Sequence, residues 1–272
     1  MIPAAFDYTV AESADHAIQL LGEAGDEAKL LAGGHSLLPM MRFRLATPTM
    51  LIDVGRLDDL SYIRQENGHV AIGAMTKHMD LETSDVLADA CPLLQHVASL
   101  VGDPSVRHKG TLGGTMAHSD PASDLPAAVL ALGGTVVAQG PNGKREIAAT
   151  EFFTGYFESV LAADEMIVEI KVPANTGGWN YQKFNRRAQD WAIVGVCVAD
   201  GGNGISLINM GSTPLRASAA EAALAGGASM EDAAALAADG TSPPEDLNAD
   251  AAYRAHLAKV LTGRALAAAN GG

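Results

Sequence analysis

The sequence predicts an α+β protein of three consecutive subdomains, near 1–56, 57–173 and 174–272. Three observations carry that prediction. Short apolar runs alternate with stretches at helical spacing along 272 residues, a length that favours more than one packed unit. Hydrophobic residues make up 48 % of the chain, enough to bury a sizeable core and exclude wholesale disorder. The run ANTGG at 174–178 then interrupts the pattern and reads as a boundary.

Residues 14–24 place Ala17, Leu20, Leu21 and Ala24 at helical spacing, with Ser13 as N-cap and Gly25 as stop. KLLAGG (29–34) reads as a buried strand running into glycines, and MLIDV (50–54) as the next strand. Between them lies a basic, apolar stretch, PMMRFRLATP (39–48), so the first subdomain is a small β–α–β unit. HVAIGAMT (69–76) alternates as a strand, and 80–101 predicts two helices interrupted at Pro92. The segment 106–133 reads as a glycine-rich loop followed by a helix from Leu125. TVVAQG and KREIAA (135–140, 144–149) form a hairpin across Pro-Asn-Gly, and IVEIKV (167–172) is a strand ending at Pro173. Strands near 179–187, 191–199 and 204–210 give a C-terminal three-stranded sheet. Helices over 217–238 and 249–269 close the chain, and their alanine content favours helix intrinsically.

Composition removes several functional classes. Lys and Arg number 18 against 32 Asp and Glu, a formal charge of −14, which disfavours a nucleic-acid binder. Charged residues are only 18 % of the chain, which fits a surface partly covered in an assembly. Cys91 and Cys197 belong to no local ligand spacing, so neither an iron–sulfur cluster nor a disulfide framework is expected, and a reducing cytoplasm is the default. The opening MIPAAFDYTV does not read as a signal peptide, and no apolar run is long enough to span a membrane. His108 and His118 flank a glycine-rich run without a metal-ligand pattern, so no metal is expected in this chain. There is no nucleophile elbow, and no catalytic side chain is assigned.

Two glycine-rich runs remain, AGGHS at 32–36 and TLGGT at 111–115. Either alone is more often a simple turn, and neither fits the GxGxxG or GxxxxGK[ST] pattern. Two such runs, flanked by the hydroxyls of Ser36, Thr111 and Thr115, could clamp the phosphates of a dinucleotide from opposite sides.

The run AGGHSLLPMMRFRL (32–45) with LIDV (51–54), and the later GDPSVRHKGTLGGTMAHSDPASDLPAAVLALG (102–133), resemble the FAD-binding medium subunit of molybdenum hydroxylases. This is the xanthine oxidase family, and the likeness is to its carbon monoxide dehydrogenase type. FFTGYFESVLAADEMIVEIKVP (152–173) and YQKFNRRAQDWAIVGV (181–196) are similar to the same family, so the resemblance covers nearly the whole chain. It implies a PCMH-type (vanillyl-alcohol oxidase-like) two-part FAD domain and a C-terminal CO dehydrogenase flavoprotein-type α+β domain.

The resemblance implies that Ala32, Gly33, Gly34, His35 and Ser36 wrap the FAD pyrophosphate, opposed by Thr111, Leu112, Gly113, Gly114 and Thr115. It makes Asp124 the acceptor for the adenosine ribose hydroxyls; on residue preference alone Asp124 could equally be a helix N-cap. Val101 and Ile167 would line the flavin pocket or simply be core. Lys183 would sit near the flavin or snorkel at the surface. Trp191, where the family commonly has tyrosine, would stack on or gate the isoalloxazine. The family further implies a small partner subunit with two [2Fe–2S] clusters, a large molybdopterin subunit, a dimer of heterotrimers, and an external electron acceptor. The alternatives are a stand-alone FAD oxidoreductase of the same superfamily and a non-catalytic nucleotide-binding scaffold.

Overall fold

The computed structural model describes residues 2–174 and 176–271; the expected boundary at 174–178 includes Asn175, which lies outside the described residues. The first unit contains β1 (Asp7–Val10), α1 (Ala14–Ala24), β2 (Ala28–Leu31), α2 (Leu37–Arg42) and β3 (Met50–Asp53). The three strands form a parallel sheet in the order β1-β3-β2. Ser13 caps α1 by accepting from the His16 N–H, and Gly25 ends it, as the sequence predicts. Parallel pairing needs a crossover, and α2 supplies it between β2 and β3. The basic, apolar stretch after the first glycine run therefore begins as helix. The edge strand β1, which the sequence reading leaves out, is too exposed and too short to carry a hydrophobic pattern.

The second unit begins with β4 (Ile63–Glu66), β5 (His69–Gly73), α3 (His78–Glu82), α4 (Asp85–Ala90) and α5 (Pro92–Ser99). Pro92 opens α5 at its first position, where its missing N–H costs nothing. The stretch 80–101 is thus three helices, with starts at His78, Asp85 and Pro92, instead of two. Then come α6 (Pro104–Arg107), α7 (Leu112–His118), α8 (Asp124–Ala131), β6 (Thr135–Gly140) and β7 (Gly143–Ala148). The short α9 (Ala149–Phe152), β8 (Phe153–Gly155) and β9 (Glu158–Ser159) lead to β10 (Met166–Pro173). The antiparallel sheet runs β4-β5-β10-β6-β7, with the hairpin and the strand ending at Pro173 where the sequence puts them.

One expectation is corrected here. The second glycine run is the first turn of α7, not a loop: Thr111 is its N-cap and accepts from the Gly114 N–H at 3.1 Å. Glycine is needed because a Cβ on Gly113 would sit 2.6 Å from that of Ala74. Close packing of helix on strand, not a turn, accounts for this glycine.

The third unit comprises β11 (Asn180–Phe184), β12 (Val194–Ala199), β13 (Gly204–Ile208), β14 (Leu215–Arg216), α10 (Ser218–Ala225), α11 (Met230–Ala235) and α12 (Ala251–Ala269). The short β14 adds a fourth strand to the three read from the sequence. Both β12 and β13 are buried along their whole length, because α12 covers one face of the sheet and α8 the other. That is why VGVCVA and GISLI read as continuous apolar runs. All eight residues of α8 are buried, so it is the shared helix between the second and third units. Ser206 on β13 donates to the Ala127 carbonyl of α8 at 2.6 Å and ties the two together.

Cys91 and Cys197 are buried free thiols; burial pushes Cys91 up to about 11, and neither is poised to react. No helix among the described residues is long and apolar enough to cross a membrane. The guanidinium of Arg254, on α12, is fully buried; it donates to the Ile193 carbonyl and pairs with Asp246 at 2.8 Å. Arg254→Ala should leave a cavity and release the 246–249 loop, lowering stability by about 3 kcal/mol in thermal or urea unfolding.

Candidate cofactor site

The two glycine runs meet. A Cβ on Gly33 would lie 2.1 Å from the Lys109 carbonyl oxygen and 3.0 Å from the Gly110 Cα, so the loops touch backbone to backbone. A Cβ on Gly114 would lie 3.9 Å from that of Ala32, which brings the two runs face to face. The topology enforces this. The first run leaves the C-terminal end of β2, while the 109–111 segment is pinned by a bridge between Lys77 and Thr111 and by the His78 N–H on the Gly110 carbonyl.

The runs differ in what they offer. In the first, the N–H groups of Gly33, Gly34, His35 and Ser36 form no hydrogen bond among the described residues, and the Ser36 hydroxyl caps nothing. In the second, the donors are used internally. Leu112 N–H goes to the Thr76 carbonyl, Gly113 N–H to Ala74, and Thr115 N–H to Thr111. The Leu112 side chain is fully buried, whereas Thr115 is half-buried on α7. A row of unsatisfied amides beside Gly110 and Gly114, which carry no side chains, fits a pyrophosphate, which needs N–H donors and close backbone approach. The residues present therefore fit an FAD, the first run as donor and the second as wall.

Asp124, Lys183 and Val101 are brought together, but Asp124 is not free. It is the first residue of α8, and Ser123 holds the N-cap position, which corrects the capping alternative. One carboxylate oxygen accepts from the Tyr181 hydroxyl at 2.5 Å, and the other pairs with the Lys183 ammonium at 2.9 Å. Burial pushes the Asp124 carboxyl up, opposed by Lys183 and Tyr181, while burial and the adjoining carboxylate hold the Tyr181 hydroxyl well above its usual range. Lys183 also donates to the Leu100 carbonyl at 3.0 Å, next to Val101, and its side chain is 8 % exposed. The snorkelling alternative for this lysine is corrected accordingly. Ile167, on β10, is 6 % exposed in the core and belongs to the same apolar cluster as Leu112 of the second run.

Trp191 is 58 % exposed at the rim of a pocket of about 330 Å³, shared with Asp120, Arg186, Arg187, Asp190 and Arg254. Arg187 pairs with Asp190, whose carboxyl it holds below the usual range.

Two participants were not picked out from the sequence. Tyr181 stands two positions before Lys183 on β11 and so shares its face, a signal the strand period carries. His78 carried no such signal. It is 5 % exposed, neither ring nitrogen makes a hydrogen bond, and it packs against Gly110. Burial lowers it to about 4, helped by the nearby charges of His35 and Arg107 and opposed by the Thr111 carbonyl.

Comparison with known proteins shows the family. Residues 4–175 match the model of the FAD binding domain in molybdopterin dehydrogenase, and residues 179–269 that of the CO dehydrogenase flavoprotein C-terminal domain. The chain is 43 % identical to the carbon monoxide dehydrogenase medium chain of Hydrogenophaga pseudoflava, covering 99 % of this chain and 98 % of that one. It is 38 % identical to the 6-hydroxypseudooxynicotine dehydrogenase complex subunit alpha of Paenarthrobacter nicotinovorans, over 99 % and 96 %. A solved structure of the Hydrogenophaga pseudoflava carbon monoxide dehydrogenase lacking the Mo-pyranopterin moiety superposes with a TM-score of 0.93 at 45 % identity, covering 99 % and 98 %. The chain belongs to the family of FAD-binding medium subunits of molybdenum hydroxylases. It is an oxidoreductase flavoprotein whose cofactor is FAD.

Two outcomes follow from the geometry. Asp124→Ala strands the buried Lys183 ammonium and should cost about 3–5 kcal/mol by urea unfolding, much of it recovered when Lys183→Met is added. His78 binds fewer protons folded than unfolded between its ordinary 6.5 and about 4. The stability this contributes is complete above pH 6.5 and is lost as pH falls to about 4, on the order of 3 kcal/mol; His78→Phe should flatten that part of the stability–pH curve.

Proposed function

We propose that this chain is the electron-transfer flavoprotein subunit of a three-subunit, cytoplasmic molybdenum hydroxylase. It receives electrons from the [2Fe–2S] clusters of a small partner and hands them to an external acceptor, while oxidation of substrate takes place on a large molybdopterin subunit. Bound FAD supplies redox chemistry that accepts single electrons and discharges pairs.

The observation that carries this reading is the row of four unsatisfied amides, Gly33 to Ser36, set beside Gly110 and Gly114. Ala32 to Ser36 hold the pyrophosphate, and Thr111 to Thr115 wall it in. Asp124 meets the ribose through lone pairs its two protein partners leave, so Tyr181 and Lys183 fix the height of that contact. Val101 and the indole of Trp191 border the flavin. The two relatives carry names with unrelated substrates, consistent with specificity residing on another chain. The three units divide the work: two hold the dinucleotide, and the third supplies the Tyr181–Lys183 strand and the Trp191 loop.

Purification of the tagged chain from its own cells should yield a complex with FAD, iron and molybdenum in fixed ratio and two copies of each chain. FAD on a chain that runs alone would favour a self-sufficient oxidoreductase; a colourless, folded complex would favour a scaffold. Gly33→Ala places a methyl where the Lys109 carbonyl stands, forces the runs apart and should lower the FAD content of the complex about tenfold or more, with circular dichroism unchanged.

A further inference from the structure

Val101 stands on a stretch of irregular main chain between α5 and α6. Carbonyls in such a stretch ordinarily find water or a main-chain donor. Here three in succession, those of Leu100, Val101 and Gly102, accept from side-chain cations. The Lys183 ammonium donates to the first at 3.0 Å. One nitrogen of the Arg107 guanidinium, Nη1, donates to the other two at 3.1 and 3.3 Å.

Both cations are themselves anchored. Lys183 is paired with Asp124, and Arg107 with Glu82, the last residue of α3. Arg107 Nε lies 2.7 Å from one Glu82 carboxylate oxygen and Nη2 3.5 Å from the other. The guanidinium is planar, so a carboxylate held on one edge sets the direction of the donor on the other. The Arg107 side chain is 12 % exposed and that of Glu82 28 %, so water competes little for the pair. The one-turn helix α6 has its own cap, since the Asp103 carboxylate accepts from the Val106 N–H at 3.0 Å. Arg107 therefore serves the segment before the helix. That segment turns at Gly102, whose φ of 51° is left-handed, and Val101 packs half-buried against the main core.

We propose that Arg107, braced by Glu82, is a positioning residue that sets the place of Val101 at the border of the flavin. It works from the side of α3 as Lys183 works from the side of β11. This rests on the reading of Val101 as a neighbour of bound FAD. Arg107 acts through main-chain carbonyls and not by contact with the dinucleotide. A segment ordered before the cofactor arrives loses little conformational freedom when it binds.

The test uses the assembled complex, stripped of FAD and titrated with it, with visible circular dichroism of the flavin recorded at saturation. Arg107→Met releases two carbonyls; it should weaken FAD about tenfold and alter the flavin dichroism. It also strands the Glu82 carboxylate and lowers the unfolding temperature. Adding Glu82→Met removes the stranded charge, so the double variant should regain much of that temperature. It should keep the weakened FAD binding and the altered dichroism. Arg107→Lys retains the charge but lacks the fork, and should bind FAD no better than Arg107→Met. If affinity and dichroism return with stability in the double variant, the pair only supports the fold and the inference is overturned. Full recovery in Arg107→Lys also overturns it, since charge alone would then suffice. Wild-type affinity and dichroism in Arg107→Met overturn it while leaving the FAD site intact. A wild-type complex that takes up no FAD overturns the site and the inference together.

Discussion

The main-chain contact between Gly33 and Lys109-Gly110 is the constraint on which the rest depends. It sets the run after β2 against the segment before α7, while an apolar cluster of Ile18, Leu21 and Ile52 with Val137, Met166 and Val168 packs the two units together. Its consequence is chemical as well as structural. The first run is held where its N–H groups have no carbonyl to reach, and the second is wound into α7, where its own are consumed. The two runs are therefore not equivalent: one keeps free N–H groups and the other does not. The donor row is stable in water because solvent reaches it, and it is preorganised because the strand behind it is not free to move.

The second constraint is the buried group of Asp124, Tyr181 and Lys183. An isolated carboxylate at that depth would be expelled or neutralised, and an isolated ammonium likewise. Together they satisfy one another, and they do so across the boundary between α8 and the third unit. The C-terminal sheet is thereby fixed against α8, with Ser206 on the Ala127 carbonyl adding a second tie.

The legible parts of this protein are those where one residue type has one physical reason. Ser13 and Gly25 bracket a helix because a hydroxyl acceptor and a side-chain-free residue solve its two ends. The hairpin across 141–142 and the apolar β12 and β13 were legible for the same reason. Glycine has several reasons, and there the reading divided. Gly33 is glycine for a backbone contact, whereas Gly113 is glycine so that α7 can lie on Ala74, and local sequence cannot tell these apart. Lys183 and Asp124 stand 59 positions apart, so their pairing has no local trace. His78 is further still from legibility, because what distinguishes it is the absence of a partner.

The sequence by itself determined the α+β class and most of the elements through local period and composition, and its ordered motifs carried the resemblance to the family. It also determined that any iron–sulfur cluster must come from elsewhere, because two separated cysteines cannot build one. The tertiary structure alone decided which run keeps its donors free, what Asp124 is bonded to, and that a histidine stands behind Gly110. The physical reason is that hydrogen-bond satisfaction is a property of the folded whole: whether a donor is free depends on every acceptor the fold brings within reach.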